Sequence, residues 1–140
     1  MNRYLLDTNI LIFIILGNNE EISKDVRLIL KDFSNQLYTS SIAISELIHL
    51  HKINKIQSKD YKTASEIQEA IEKDFYIEIL PFNKIHTKTL AKLTIAENHN
   101  DPFDHAIISQ AISDKLTLIS SDTKFKRYTS QKLKFVFNRR

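Results

Sequence analysis

The sequence predicts an α/β fold in which helices cover both faces of a central parallel sheet. Short apolar runs alternate along the chain with longer amphipathic stretches, as strands alternate with helices in such folds. The central runs are too apolar to face water on either side, which is typical of strands in a parallel sheet. No repeat, low-complexity tract or Pro/Gly-rich linker divides residues 1–140, so we expect a single domain.

The apolar pattern places each element. Strands are expected at residues 4–6, 36–39, 76–80, 116–119 and 133–137. Helices are expected at residues 10–16, 21–33, 42–53, 61–73, 85–97 and 103–113. Parallel sheets bind ligands outside the carboxyl ends of their strands, so the loops that follow the strands should hold the chemistry.

The composition excludes several kinds of site. The chain has no cysteine, which rules out disulfides, thiolate metal sites and cysteine nucleophiles, so any metal must bind oxygen or imidazole. A net charge of +3 permits contact with a polyanion but does not require it. The longest early apolar run, residues 10–16, is too short to span a bilayer, and we expect a soluble, cytoplasmic protein without membrane contact.

An aspartate directly follows the first predicted strand. Asp7 is preceded by Leu6 and followed by Thr8 and Asn9, so its carboxylate is expected at the carboxyl edge of the central strand. Asp, Thr and Asn also accept hydrogen bonds from free backbone N–H groups at a helix start. Taken alone, Asp7 therefore fits a helix cap as well as a catalytic carboxylate.

Glu46 falls in the apolar arc of the helix predicted over residues 42–53. On a helical wheel it lies among Ile42, Ala43, Leu50 and Ile53. Burying a lone carboxylate costs several kcal/mol, so we expect a cation, a paired base or a raised pKa to compensate. The alternative is a glutamate at the rim of the helix whose carboxylate reaches water.

Further aspartates lie at predicted element ends. Asp101 fits an N-cap, Pro102 the first helical position and Asp104 the third, so capping alone could explain both acids. A carboxylate at the third position would also point toward the sheet edge where Asp7 is expected. Asp122 follows the strand predicted at residues 116–119, and its alternative role is to cap a short helical turn.

Taken together, Asp7, Glu46, Asp104 and Asp122 are expected to meet at one edge of the sheet. Independent caps would have no reason to include a buried glutamate. Carboxylates at such close range repel one another and do not all stay ionised unaided. Mg²⁺ or Mn²⁺, which prefer oxygen ligands, would relieve this repulsion. One or two such ions activate water for in-line attack on phosphorus and stabilise charge on the leaving oxygen.

Segments spread over most of the chain resemble the successive motifs of PIN domains. They are LDTNIL at residues 6–11, SIAISEL at 41–47, NDPFDHAII at 100–108 and SSDTKF at 120–125. Among PIN domains the chain looks most like the VapC toxins of bacterial and archaeal toxin–antitoxin pairs, because of its Asp-Pro-Phe-Asp segment and its length. Each motif is weakly specific by itself, whereas all of them in order are strongly specific.

The resemblance implies an α/β/α sandwich around a parallel sheet and hydrolysis of RNA phosphodiester bonds. It also implies that the carboxylates binding Mg²⁺ or Mn²⁺ are those of Asp7, Glu46, Asp104 and Asp122. At Thr8, Asn9 and Ser120 the family has small polar residues that orient those carboxylates. Asp101 lies close to Asp104 in the sequence and is expected to assist them while acting chiefly as the helix cap.

The resemblance further implies a homodimer and a cognate antitoxin protein. Apolar residues on the early helices could form such surfaces, with core packing as the alternative; they are Ile12, Phe13, Ile15, Ile29 and Phe33. One departure from these toxins is His105, which stands where arginine is common. Imidazole is shorter and only partly charged near neutral pH, which puts in doubt any contact of this side chain with phosphate or antitoxin.

Other charged side chains have ordinary explanations beside the functional ones. A lysine stripe at residues 84, 88 and 92 and a basic cluster at 124, 126 and 127 could contact RNA phosphates, although a solvated face is the commoner meaning. His49 stands three residues after Glu46, as in a Glu-x-x-His metal motif, but this motif occurs once. A surface or boundary position is favoured for His49, His51, His86 and His99.

Other proteins with an early aspartate in a parallel sheet fit poorly. Haloacid-dehalogenase-like phosphatases need an aspartate where Asn9 stands, and response-regulator receivers need an acidic pair where Leu6 precedes Asp7. The remaining alternative is a PIN-like module that binds RNA or protein without cleaving it. The four acids argue against this alternative, since such a module has no need of buried like charges.

Overall fold

The chain forms a parallel sheet with helices between successive strands. In the computed structural model, which describes residues 2–140, the strands are β1 (Arg3–Leu6), β2 (Gln36–Ser40), β3 (Ile77–Leu80), β4 (Thr117–Ser120) and β5 (Lys134–Phe137). Across these residues every neighbouring pair is parallel, in the order β3-β2-β1-β4-β5. The predicted parallel α/β fold is therefore confirmed, and each strand lies within one residue of its predicted bounds.

Helices connect the strands. They are α1 (Thr8–Leu16), α2 (Lys24–Lys31), α3 (Ser41–Lys52), α4 (Ala64–Lys73), α5 (Lys84–Lys92) and α6 (Pro102–Asp114), with 3₁₀ segments at Asn19–Glu21 and Thr123–Gln131. Over residues 2–140, no helix is both long enough and apolar enough to span a membrane.

Side chains of the inner strands are buried on both faces of the sheet. Successive residues of a strand point to opposite faces, and Leu5 and Leu6 in β1 are both fully buried, as are Leu118 and Ile119 in β4. Helices therefore cover the sheet on its two sides, which confirms the α/β/α sandwich. Of the early apolar residues, Phe13 and Ile15 are buried, Ile12 and Ile29 are half-buried, and Phe33 is 97% exposed.

The strand order creates a crevice at the carboxyl end of β1. Because β1 lies between β2 and β4, the chain leaves β1 toward one side of the sheet and later returns on the other side. Such a reversal separates the loops above the strands and is where open α/β sheets bind ligands. The backbone N–H of Asp7 donates to the carbonyl of Ile119 at 3.0 Å and so extends the β1–β4 pairing to the mouth of this crevice.

The helix predicted over residues 21–33 is shorter than expected. Ser23 is the extended N-cap of α2, and its backbone N–H donates to Oδ1 of Asn138 at 2.7 Å. At the other end, Oδ1 of Asp32 accepts from the backbone N–H of Ser34 at 2.9 Å and stabilises a turn. A contact between residues 115 positions apart thus sets the start of α2, and the apolar pattern does not show it.

The helices predicted over residues 85–97 and 61–73 are also shorter in the structure than predicted. α5 ends at Lys92 because Leu93 is extended and the side chain of Gln131 pairs with both the N–H and the carbonyl of Thr94, each at 2.9 Å. α4 begins at Ala64 because Thr63 is its N-cap and accepts from the N–H of Glu66. Thr63 and Glu66 have the spacing of a capping box, a signal that could have placed this start from sequence.

We predict that Leu118→Ala lowers the free energy of unfolding by about 2–5 kcal/mol, because it leaves a cavity at the centre of the sheet. Leu118 is fully buried, whereas Leu28 on α2 is 63% exposed. The matched control Leu28→Ala is expected to change stability by less than about 0.5 kcal/mol. Urea denaturation of both variants measures the difference, and equal losses would contradict the placement of the core.

Candidate functional site

A pocket of about 220 Å³ lies at the carboxyl ends of β1 and β4. The side chains that line it are Asp7, Thr8, Asn9, Ile12, Glu46, Leu50, Asp101, Asp104, Asp122 and Lys124. All of the predicted carboxylates are present, although they come from the ends of two strands, the middle of α3 and the start of α6. The fold thus brings together acids that are distant in the sequence.

Asp7 is both a helix cap and a pocket residue. It is the N-cap of α1, is 5% exposed, and its Oδ1 accepts from the backbone N–H of Thr8 at 2.8 Å. Its Oδ2 accepts from the hydroxyl of Ser120 at 2.7 Å and from Nδ2 of Asn9 at 3.3 Å. Asp7 therefore caps α1 while its carboxylate lines the pocket, and Thr8, Asn9 and Ser120 all orient that carboxylate.

The same polar residues tie the loop after β4 to the start of α1. Nδ2 of Asn9 also donates to Oγ of Ser120 at 3.0 Å, and Oδ1 of Asn9 accepts from the backbone N–H of Ser121 at 3.2 Å. The backbone N–H of Asp122 donates to Oγ of Ser120 at 3.0 Å. Asp122 is therefore held at a fixed position relative to Asp7.

Glu46 reaches the pocket from α3. Its Oε1 accepts a hydrogen bond from the hydroxyl of Thr8 at 2.6 Å. Glu46 was expected in the apolar arc of its helix, either buried beside a compensating group or at the rim. Its side chain is half-buried and lines the pocket, with the Thr8 hydroxyl as its partner. Thr8 thus connects two acids, with its backbone N–H on Asp7 and its hydroxyl on Glu46.

The remaining acids lie at the starts of helical segments. Asp101 is the exposed N-cap of α6, and its Oδ1 accepts from the N–H of Phe103 at 2.9 Å, which confirms its capping role. Asp122 caps the 3₁₀ segment Thr123–Gln131 and accepts from the N–H of Lys124 at 2.9 Å. Asp104 occupies the third position of α6, and its Oδ2 lies 2.9 Å from Nε2 of His99.

Burial and like charge raise the pKa of two carboxyl groups in the pocket. Burial raises the pKa of Asp7 from 3.8 to about 7; hydrogen bonds from Ser120 and Thr8 oppose the rise, and the charges of Asp104 and Glu46 add to it. Burial also raises the pKa of Asp104 from 3.8 to about 7, helped by the neighbouring acids and opposed by Lys124. Near neutral pH each group is therefore partly protonated, because the pocket disfavours its negative charge.

The donor chemistry of the pocket fits a hard divalent cation, because carboxylate oxygens at close range attract such ions. Across residues 2–140, however, no group of three or more His, Cys, Asp or Glu side chains is arranged closely enough to hold a metal ion. The carboxylates line the pocket without closing around one point, with Glu46 turned toward Thr8 and Asp104 toward His99. Their role as metal ligands stays a prediction.

Two histidines are buried more deeply than the sequence predicted. His99, expected at the surface or a boundary, is 1% exposed, and its Nδ1 lies 2.7 Å from the hydroxyl of Tyr128. His86 is also buried, because its Nε2 lies 3.0 Å from both carboxylate oxygens of Asp114. His49 is exposed as predicted. Each histidine has one partner nearby in sequence, Asp104 for His99 and Asn83 for His86. The other partners, Tyr128 and Asp114, lie 29 and 28 positions away, where local sequence gives no signal.

His105 has a structural contact in place of the one that is common in the toxins. Its Nε2 donates to the backbone carbonyl of His99 at 2.7 Å, and the side chain is half-buried. The imidazole therefore holds the loop before α6 and does not face the pocket, which is lined by neither His105 nor His99.

One residue of the basic cluster reaches the pocket. Lys124 lines it, whereas Nζ of Lys126 lies 4.5 Å above the ring of Phe137 and Nη1 of Arg127 donates to the carbonyl of Glu97 at 2.6 Å. The predicted lysine stripe at residues 84, 88 and 92 is exposed along α5.

Comparison with known proteins gives the family. The model of a family described as "PIN domain" matches residues 4–130. The chain belongs to the PIN domain family. No curated protein sequence matches the chain.

Solved structures share the fold over nearly the whole chain. VapBC2 from Rickettsia felis, solved with a DNA fragment from its promoter, is 23% identical, with 97% of this chain and 98% of that chain covered and a TM-score of 0.67. DNA-bound VapBC from Salmonella typhimurium is 22% identical, with 98% of each chain covered and a TM-score of 0.67. VapBC-5 from Mycobacterium tuberculosis, a member of the VapBC family of toxin–antitoxin systems, is 18% identical, with 98% and 99% covered and a TM-score of 0.62.

We predict that Asp7→Asn stabilises the metal-free protein at pH 8 by about 1–3 kcal/mol. The folded-state pKa of Asp7 is raised from 3.8 to about 7, so its contribution to stability is full below pH 3.8 and is lost as the pH rises through about 7. Asparagine caps the helix without carrying the charge and so avoids this loss.

Urea denaturation in EDTA at pH 4 and pH 8 measures the effect, which is expected to be largest at pH 8. Asp60→Asn is the matched control, because Asp60 is exposed and lies outside the pocket. Equal effects of Asp7→Asn at the two pH values would show that its pKa is not raised.

Proposed function

We propose that this PIN domain is a metal-dependent endoribonuclease and the toxin of a VapBC-type toxin–antitoxin pair, acting as a single domain over residues 1–140. The observation that supports this most is the pocket at the carboxyl ends of β1 and β4, which is lined by carboxylates from separate segments of the chain. Burial, helped by the charges of the neighbouring acids, raises the pKa of Asp7 and of Asp104 to about 7. Such a cluster is costly to a fold unless it binds a positively charged ligand.

The proposed ligand is Mg²⁺ or Mn²⁺, because these ions prefer oxygen ligands and the acids in the pocket offer carboxylate oxygens. Asp7, Glu46, Asp104 and Asp122 would hold it. Each carboxylate already takes part in a hydrogen bond, with another side chain for the first three and with the backbone N–H of Lys124 for Asp122. A bound divalent cation would supply an acidic water and stabilise charge on the leaving oxygen.

Polar residues next to the acids have supporting roles in this proposal. Ser120 and Asn9 hold the carboxylate of Asp7, and Thr8 holds that of Glu46. Asp101 fixes the start of α6 and thereby the position of Asp104. These contacts keep the carboxylates in place before any ligand binds, which reduces the reorganisation that binding requires.

RNA is the proposed substrate on the strength of the resemblance to VapC toxins. The net charge of +3 and the presence of Lys124 beside the acids favour approach of a polyanion. The imidazole of His105 does not take part in phosphate contact in this proposal, since it donates to the carbonyl of His99.

The cognate antitoxin and a second copy of the chain are the proposed protein partners, and the cytoplasm is the proposed location. Structures of similar fold include VapBC complexes with DNA. Apolar side chains near the C-terminal end of α2 provide a surface for a partner: Leu28 is 63% exposed, Phe33 97% and Tyr76 76%.

We predict that the purified protein cuts RNA in the presence of Mn²⁺, and that EDTA abolishes the cutting. Asp7→Asn is expected to lower the cleavage rate by at least about 100-fold, because it removes the charge of the most deeply buried carboxylate in the pocket. Gel analysis of labelled structured RNAs measures both effects.

Asp60→Asn, purified in the same way, controls for contaminating ribonuclease and is expected to keep full activity. RNA binding without metal-dependent cleavage would favour the adaptor that the sequence left open. Cleavage that survives in both EDTA and Asp7→Asn would exclude this pocket as its source.

We predict that Lys124→Met lowers kcat/KM for RNA by about 10-fold, mainly through KM, because it removes the positively charged ammonium group of the lysine that lines the pocket. The assay is run at pH 8.5, where the raised pKa of Asp104 no longer limits its ionisation. Lys126→Met is the matched control, since the ammonium of Lys126 lies over the ring of Phe137. Equal losses in the two variants would point to a general charge effect.

A further inference from the structure

We propose that Tyr128 and His99 are positioning residues that hold the carboxylate of Asp104 with one oxygen toward the pocket. They form a hydrogen-bonded relay behind the pocket, from the hydroxyl of Tyr128 through the imidazole of His99 to Oδ2 of Asp104. The inference rests on the proposed function, because it concerns one of the proposed metal ligands. It adds residues that no sequence motif identified.

The relay is almost entirely buried. His99 is 1% exposed and Tyr128 is fully buried. Nδ1 of His99 lies 2.7 Å from the hydroxyl of Tyr128, and Nε2 lies 2.9 Å from Oδ2 of Asp104. Both ring nitrogens therefore have a partner, as a buried imidazole requires.

The donors and acceptors set the direction of the relay. The backbone N–H of Ala96 donates to the hydroxyl oxygen of Tyr128 at 3.0 Å, which leaves the tyrosine hydrogen free to point at Nδ1 of His99. Nδ1 then accepts, so the proton of the neutral ring is on Nε2. Nε2–H donates to the ionised carboxylate of Asp104, which can only accept.

Packing prevents the imidazole from rotating. His105 contacts its ring edge-on, with centroids 4.8 Å apart, and Tyr128 does so at 5.4 Å. Nε2 of His105 also donates to the backbone carbonyl of His99 at 2.7 Å, so the main chain at His99 is fixed as well. The ring is therefore a rigid donor, and the position of Oδ2 follows from it.

The relay leaves the other carboxylate oxygen of Asp104, Oδ1, available to the pocket. The side chain is 17% exposed and lines the pocket. With Oδ2 held by His99, Oδ1 has no hydrogen-bond partner among residues 2–140. Supporting groups that orient a ligand carboxylate in this way commonly change metal affinity by about 10–100-fold when they are removed.

The first test asks where the proton of His99 lies in the metal-free protein. Two-bond ¹H–¹⁵N NMR at pH 8, with the His99 signals assigned from the spectrum of His99→Gln, is expected to show the proton on Nε2. In Tyr128→Phe, the ¹⁵N shift of Nδ1 is expected to move toward that of a ring nitrogen without a hydrogen bond. A proton on Nδ1 in the unaltered protein would overturn the proposal.

The second test measures Mn²⁺ affinity by calorimetry. Tyr128→Phe is expected to weaken binding by about 10-fold. The matched control Tyr38→Phe is expected to leave it unchanged, because the Tyr38 hydroxyl donates to Gln36 on the exposed end of β2. Circular dichroism and urea denaturation identify any variant that fails to fold, since Tyr128→Phe also leaves the N–H of Ala96 without its acceptor.

A third comparison separates positioning from packing. His99→Gln keeps a side-chain N–H donor and is expected to retain more Mn²⁺ affinity than His99→Leu, which has none. Equal affinities for these two variants, or an unchanged affinity in Tyr128→Phe, would overturn the proposal. If the expected changes in NMR and affinity occur but the protein cuts no RNA, the proposed function fails and the positioning role stands.

Discussion

Burial of carboxylates at the edge of the sheet, together with the repulsion between them, is the constraint on which the rest of the site depends. Asp7 and Asp104 carry a pKa of about 7 because burial and neighbouring acids disfavour their charge. The fold tolerates this because β1 and β4 fix the backbone from which Asp7 and Asp122 project. Each of these strands contributes two consecutive fully buried residues, Leu5–Leu6 and Leu118–Ile119.

Helix starts offset part of the repulsion. Asp7 caps α1, Asp101 caps α6 with Asp104 in its first turn, and Asp122 caps the 3₁₀ segment Thr123–Gln131. Free N–H groups and the helix dipole favour negative charge at these positions. Helix capping and formation of the pocket therefore depend on the same contacts, because the backbone N–H groups at each helix start also hold an acid in place. Glu46 differs, because it lies in the middle of α3 and relies on the hydroxyl of Thr8.

Local patterns in the sequence were enough for the strands, the parallel sheet and the convergence of the acids, since these depend on apolar periodicity and on which residues follow each strand. They were not enough where a distant side chain decides the outcome. Asn138 sets the start of α2 and Gln131 sets the end of α5 through contacts with residues far away in the chain. His99 was misplaced for the same reason, because its burial depends on Tyr128. For Glu46 the sequence left a buried and a rim position open, because a helical wheel shows the face on which a residue lies but not the pocket beside it.

The choice of aspartate at the capping positions bears on the difference between an enzyme and a binding module. Asparagine caps a helix about as well as aspartate and carries no charge. At Asp7 and Asp122 capping alone would therefore be served by asparagine, which carries no charge to be buried or repelled in the pocket. The relay behind Asp104 points the same way, because a buried imidazole that donates to a carboxylate stabilises its ionised form. A fold that both concentrates negative charge and supports it with buried donors is suited to a ligand that carries positive charge, and a divalent cation meets that requirement where a neutral partner does not.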